Sequence, residues 1–329
     1  MIVEERRVRV ETREIAMSRN TKLLGTVSVL ATLAASPAAA DQLAGFAGFA
    51  DLMYSHQSLD LDDDFFGNLD TDGWNGVTVG AGIAFPVAEI PNLAWQLDGN
   101  YSSQSGDETI CTDPFDIDTC YSGGGSRIVW NLGGSFFLAF TQSRWGININ
   151  YETVTDFGAM TNGGIFVEWY LANFTIAGKG GWLWGNGTPN GGRGNYLGAQ
   201  AGGYFVPNLW IGGSVAWSDL ITGSTQVGGG IIIPPCFGPT CGRRDATETN
   251  YTLDAEFLVS ESFPLSIFGG YTFTDLKLSE NVSNPPLASG ADSNANTFFI
   301  GVRYYLGGMG SLMDMHRNGN LRGWLRGAN

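Results

Sequence analysis

The chain has 329 residues, 32 acidic and 17 basic, for a formal net charge of −15. That balance excludes nucleic-acid binding, which needs a basic footprint. Gly contributes 48 residues spread through apolar segments, where it weakens helices, so long helices are excluded as the main element.

Residues 1–40 read as a segment that is removed. Arg19 and Lys22 form a short basic region. Leu23 to Ala35 is apolar apart from Gly25, Thr26, Ser28 and Thr32, and Ser36-Pro37-Ala38-Ala39-Ala40 carries small residues at A-x-A positions. This order is that of a Sec-type signal peptide cleaved after Ala40; the alternative is a buried core helix. The run is too short and too broken for a membrane span. Residues 1–16, rich in Glu and Arg, fit no part of such a signal, and Met17 is the expected start. Residues 1–40 carry four acids and six bases, so the remainder keeps 28 acidic and 11 basic side chains. It contains no stretch near the roughly 20 apolar residues of a membrane helix.

From Leu43 to Leu306 apolar residues alternate with small or polar ones, the period of half-exposed strands. Twelve segments follow: 43–58, 74–87, 93–107, 126–140, 144–156, 163–172, 174–185, 195–206, 209–221, 246–260, 264–279 and 294–306. In the last, Phe298, Ile300, Val302, Tyr304 and Leu306 share one face, opposite Thr297, Phe299, Gly301, Arg303 and Tyr305. Connections after even segments are short, such as Pro207-Asn208 and Glu261–Phe263. Those after odd segments are mostly longer and rich in Asp, Asn, Gly and Pro, at 59–73, 108–125, 157–162, 186–194, 222–245 and 280–293. Aromatic residues on the apolar faces sort to both ends: Phe85, Trp95, Phe140 and Trp145 near short turns, Tyr101, Trp130, Tyr151 and Tyr251 near long loops. Short turns, long loops and two aromatic girdles predict a transmembrane antiparallel up-and-down β-barrel of about twelve strands over residues 41–306. A soluble sandwich would draw the same rings into a core.

The last segment carries a resemblance. Phe299 followed by Gly301-Val302-Arg303-Tyr304-Tyr305-Leu306 resembles the closing-strand signal of bacterial outer-membrane β-barrel proteins, porin-like ones included. The resemblance covers 41–306 and implies a place in the bacterial outer membrane among its lipids. It also implies that the last strand is recognised by the barrel assembly machinery. The chain departs from the pattern by running on from Gly307 to Asn329. That periplasmic tail, with Arg317, Arg322, Arg326, Leu312, Leu321, Trp324 and Leu325, reads as a disordered end or as an interfacial or partner-binding segment.

The inward faces carry Asp51, Asp98, Glu152, Glu168, Asp254 and Glu256 against Arg127, Lys179 and Arg303. Closing strand 12 onto strand 1 brings Arg303 toward Asp51 and Asp254, and adjacent strands bring Glu168 toward Lys179. Two readings stay open: salt bridges that plug a narrow barrel, or a channel lining with a cation preference. Cys111/Cys120 and Cys236/Cys241 form two close pairs in polar stretches, read as local disulfides in an oxidising compartment; their spacing does not suit a metal. Asn68, Asp70 and Asp72, followed by Gly73, match the front half of a calcium loop, but Val79 stands where the bidentate Glu belongs. Calcium there is the one cofactor the sequence raises; a solvated acidic loop is the other reading. His56 and Ser58 share a strand face without a carboxylate to orient the His, so no catalytic residue is assigned. The expected function is a narrow porin-like channel for ions or small solutes. Its alternative is a non-conducting structural or surface-interaction barrel displaying acidic loops.

Overall fold

A computed structural model describes residues 46–62, 69–112, 119–154, 158–186, 193–222, 243–281, 292–307 and 310–318. Residues 1–40, Asn68, Cys236, Cys241 and the tail beyond Asn318 lie outside the described residues.

The alternating segments become twelve strands: β1 (Ala47–Asp62), β2 (Leu69–Pro86), β3 (Leu93–Thr112), β4 (Thr119–Phe140), β5 (Ser143–Val154), β6 (Gly158–Leu171), β7 (Phe174–Asn186), β8 (Arg193–Val206), β9 (Leu209–Thr222), β10 (Arg243–Leu258), β11 (Leu265–Asn281) and β12 (Asp292–Leu306). Each pairs antiparallel with its sequence neighbours, and β12 pairs with β1 to close the barrel. Closure leaves no edge strand with unpaired backbone groups.

Strands at the long-loop end run further than the sequence predicts. Segments expected as loops at 59–73 and 108–125 continue as paired ribbons, β1 to Asp62 and β3 and β4 to Thr112 and Thr119. A membrane strand needs only about 9–11 residues, so the 22 residues of β4 reach well past that length. The ribbon pairs Cys111 opposite Cys120. Asp70 lies on β2 opposite Asp60, next to the register shift at which Gly73 takes a φ of 100°.

Apolar side chains point away from the barrel axis: Leu253 is 67% exposed and Ile300 58%. Rings on that outer surface meet at both ends. Phe85 lies 5.0 Å from Trp95 and Phe263 5.6 Å from Tyr304 at the short-turn end. Trp130 lies 5.5 Å from Tyr151, and Tyr271 4.9 Å from Phe298, towards the long loops.

The interior is narrow, and glycine makes room for large inward side chains. A Cβ on Gly202 would lie 2.4 Å from the Trp210 ring and one on Gly212 2.7 Å from it. Small-beside-large packing of this kind fills the taper of a small barrel. It accounts for part of the glycine excess that composition alone left unassigned.

The C-terminal segment corrects the expectation of a free tail. After Gly307 (φ 74°), where a Cβ would strike the Phe46 carbonyl oxygen, the chain turns back and forms helix α1 (Leu312–Asn318). Ser311 and Asp314 make a capping box: the Asp314 N–H donates to Ser311 Oγ at 3.2 Å, and Ser311 N–H donates to Asp314 Oδ2 at 3.2 Å. Leu312 and Met315 then join Phe49, Tyr204, Trp210, Leu258 and Tyr305, all inward residues, in one buried apolar cluster. Burial of these two side chains explains why this stretch is ordered inside the barrel.

Candidate functional site: the lumen and its short-turn mouth

The charged residues expected to face inward are buried or half-buried on their strands. At the short-turn end, Arg303 is the register partner of Asp51 and binds it at 3.1 Å. Its second carboxylate is Glu256, at 3.0 Å, rather than Asp254. The register gives the reason: on β11, Arg303 stands opposite Ser266, Glu256 opposite Phe268, and Asp254 one step further along opposite Gly270. Asp254 instead accepts the Trp210 indole N–H at 2.9 Å.

Glu168 takes Arg144 as a partner. Arg144 is its direct cross-strand neighbour and donates to it at 2.8 Å, both side chains fully enclosed. Lys179 sits opposite Phe166, with Ala177 opposite Glu168, so the lysine is a diagonal neighbour and the guanidinium has the better approach. Tyr170 also donates to Glu168, at 2.9 Å. Sequence reasoning missed Arg144, although it precedes Gly146 by one step on the same inward face.

Towards the long loops, Arg127 donates to Gln104 and Gln57 and lies over the Trp74 ring, 4.7 Å from its centroid. Nearer the short-turn end, level with Phe49, Asp98 accepts from Gln96 at 3.3 Å. Glu152 stands opposite Asn131 on β4. Glu248, also missed by sequence reasoning, accepts from Asn250 through one carboxylate oxygen, and its other oxygen has no partner. Glu152 on β5 and Glu248 on β10 stand five strands apart around the wall.

Inward polar side chains differ in exposure. Asn148, Asn150, Asn162, Lys179 and Gln200 on β5 to β8 are buried. By contrast, Ser55, Thr78, Asn131, Thr252 and Thr272 keep partial exposure, and Asn100 is exposed, although all six point inward. These six lie on β1 to β4, β10 and β11, among buried inward residues such as Gln96, Arg127 and Glu248.

Helix α1 lies at the short-turn mouth. His316 holds both ring nitrogens in hydrogen bonds: Nδ1 with Tyr204 Oη at 2.9 Å and Nε2 with Tyr305 Oη at 2.9 Å, with Glu256 Oε2 3.3 Å from Nε2. Tyr305 donates to Glu256 at 2.6 Å, so its oxygen is left to accept from the imidazole. Arg144 donates to the His316 carbonyl oxygen. Arg317 donates to the carbonyls of Ala172 and Phe174 and lies over the Tyr170 ring. Tyr305 on β12 and Tyr170 on β6 stand on opposite walls, so the helix bridges the mouth.

His56 lies on the outer surface, with Nδ1 3.0 Å from Asn75 Oδ1. Tyr54 donates to the same Asn75 oxygen at 2.6 Å.

No family model matches the sequence, and no curated protein matches it. Among solved structures, the chain is similar to an outer-membrane channel from Pseudomonas putida F1, with a TM-score of 0.51, 10% identity, and coverage of 82% of this chain and 100% of that one. The β domain of the Bordetella autotransporter BrkA gives a TM-score of 0.42 at 13% identity, covering 80% and 100%. The KdgM porin gives 0.39 at 8%, covering 77% and 98%. The fold is thus that of outer-membrane β-barrel proteins.

Proposed function

We propose that this chain is a channel of the bacterial outer membrane for ions or small solutes, with a preference for cations. The partial exposure of inward polar residues Ser55, Thr78, Asn131, Thr252 and Thr272 supports this reading. Short turns face the periplasm and long ribbons the exterior, the arrangement of bacterial outer-membrane barrels. The signal peptide at 1–40 delivers the chain, and β12 is the strand offered to the assembly machinery.

Cation preference follows from the lining. The inward residues carry more carboxylates than basic side chains, and low-dielectric walls focus the field of such an excess. Reversal potentials across planar bilayers under a salt gradient test this, on the full chain and on a chain ending at Gly307. The current is expected to be cation-selective, with selectivity fading as salt rises. Glu152→Gln with Glu248→Gln is expected to move the reversal potential most of the way to zero. Anion selectivity, or no effect of the double substitution, overturns the cation reading; no current from either chain overturns the channel.

The cysteines are proposed as two disulfides, Cys111–Cys120 and Cys236–Cys241. The first rests on their opposed register at the tip of the β3–β4 ribbon. A local cross-link limits the disorder a long outer loop must lose on folding. Intact-mass spectrometry of protein extracted without reductant is expected to show four hydrogens fewer than the reduced chain, one pair for each bond between the four Cys. Full alkylation of native protein by a thiol reagent would show the bonds absent.

A further inference from the structure

We propose that α1 is a displaceable plug that closes the periplasmic mouth and leaves it for the channel to open. The inference rests on the channel reading above.

Three features separate this helix from the wall it closes. Gly307 after β12 and Gly310 before the helix both hold positive φ, 74° and 135°, conformations that glycine adopts at little steric cost. Its attachment combines a small apolar contact, Leu312 and Met315, with a polar latch of His316 and Arg317. The latch leaves buried donors unmatched: Arg303 Nε and Arg317 Nε have no hydrogen-bond partner. An unmatched buried donor costs free energy that water returns on opening. The barrel wall needs none of these contacts to remain closed, because its own ladder is complete from β1 to β12.

The ionic part of the latch is matched to its seat. Arg303 joins Asp51 and Glu256, and Glu256 also faces His316. From the other wall Arg144 holds the His316 carbonyl while binding Glu168. Helix release therefore frees the inner ends of two charge clusters on opposite walls and opens the mouth.

Single-channel recording tests the plug with three chains beside the full one. The first ends at Gly307. The second carries His316→Ala with Arg317→Ala. The third carries Pro207→Cys with Met313→Cys, whose parent residues share a backbone hydrogen bond of 3.0 Å and so lie within disulfide reach. The full chain is expected to be closed with brief openings, and the truncated chain open throughout. The His316/Arg317 variant should raise the open probability about ten-fold or more, the effect of losing one buried charged hydrogen bond. The oxidised Pro207/Met313 variant should never open, and reductant should restore openings to it while leaving the full chain unchanged. Equal open probability in the full and truncated chains, or openings of the oxidised tether, overturns the plug and leaves the channel standing. No current from any chain overturns both. The tether keeps the result interpretable if the truncated chain fails to assemble.

Discussion

Arg144→Met is expected to destabilise the barrel by about 3–5 kcal/mol, the usual result of breaking a buried ion pair by removing one partner. The loss comes from what remains. Glu168 keeps its charge in an enclosed position, with the Tyr170 hydroxyl as a remaining donor. The His316 carbonyl loses a donor as well, so part of the loss is shared with α1. Removing the carboxylate together with the guanidinium, in Arg144→Met with Glu168→Leu, should recover most of the stability, because two apolar groups in the same space leave no charge uncompensated. Urea unfolding of refolded protein in lipid vesicles, followed by tryptophan fluorescence, measures both. A loss below about 1 kcal/mol for the single substitution, the range of exposed pairs, would mean that water reaches the pair.

Leu253→Arg tests which face meets lipid. Leu253 projects outward from β10 five residues above its short-turn end, near the middle of the apolar band. Arginine at a bilayer midplane costs a barrel about 2–4 kcal/mol, falling to about 0–1 near the interface. Val206→Arg, also outward but at the last residue of β8, is the paired control. In vesicles the first substitution should be strongly destabilising and the second nearly neutral. Were the band exposed to water instead, both would fall within about 0.5 kcal/mol of the parent, as surface substitutions do.

Much of the lining was legible before any tertiary information. Arg303 and Asp51 follow from two facts: side chains alternate with period two, and an up-and-down barrel must pair its last strand with its first. Arg144 and Glu248 were legible by the same alternation, since each stands one step from an inward residue, Gly146 or Asn250. The choice of Glu256 over Asp254 was not. It depends on relative stagger across three strands, and that stagger is a property of barrel closure rather than of any one segment.

The same division holds for the whole chain. The sequence by itself determined the number of strands, the face each residue takes and the alternation of short and long connections. These are written locally, in a two-residue period broken by turn residues. Only the tertiary structure decided which charges meet across the lumen, how far the outer ribbons stay paired, and where the C-terminal segment goes. Leu312, Met315 and His316 follow the alternating segments and carry no two-residue period of their own. Their position comes from the seat that Tyr204, Trp210, Glu256 and Tyr305 make together, which are brought from β8, β9, β10 and β12 to one place only when the barrel closes.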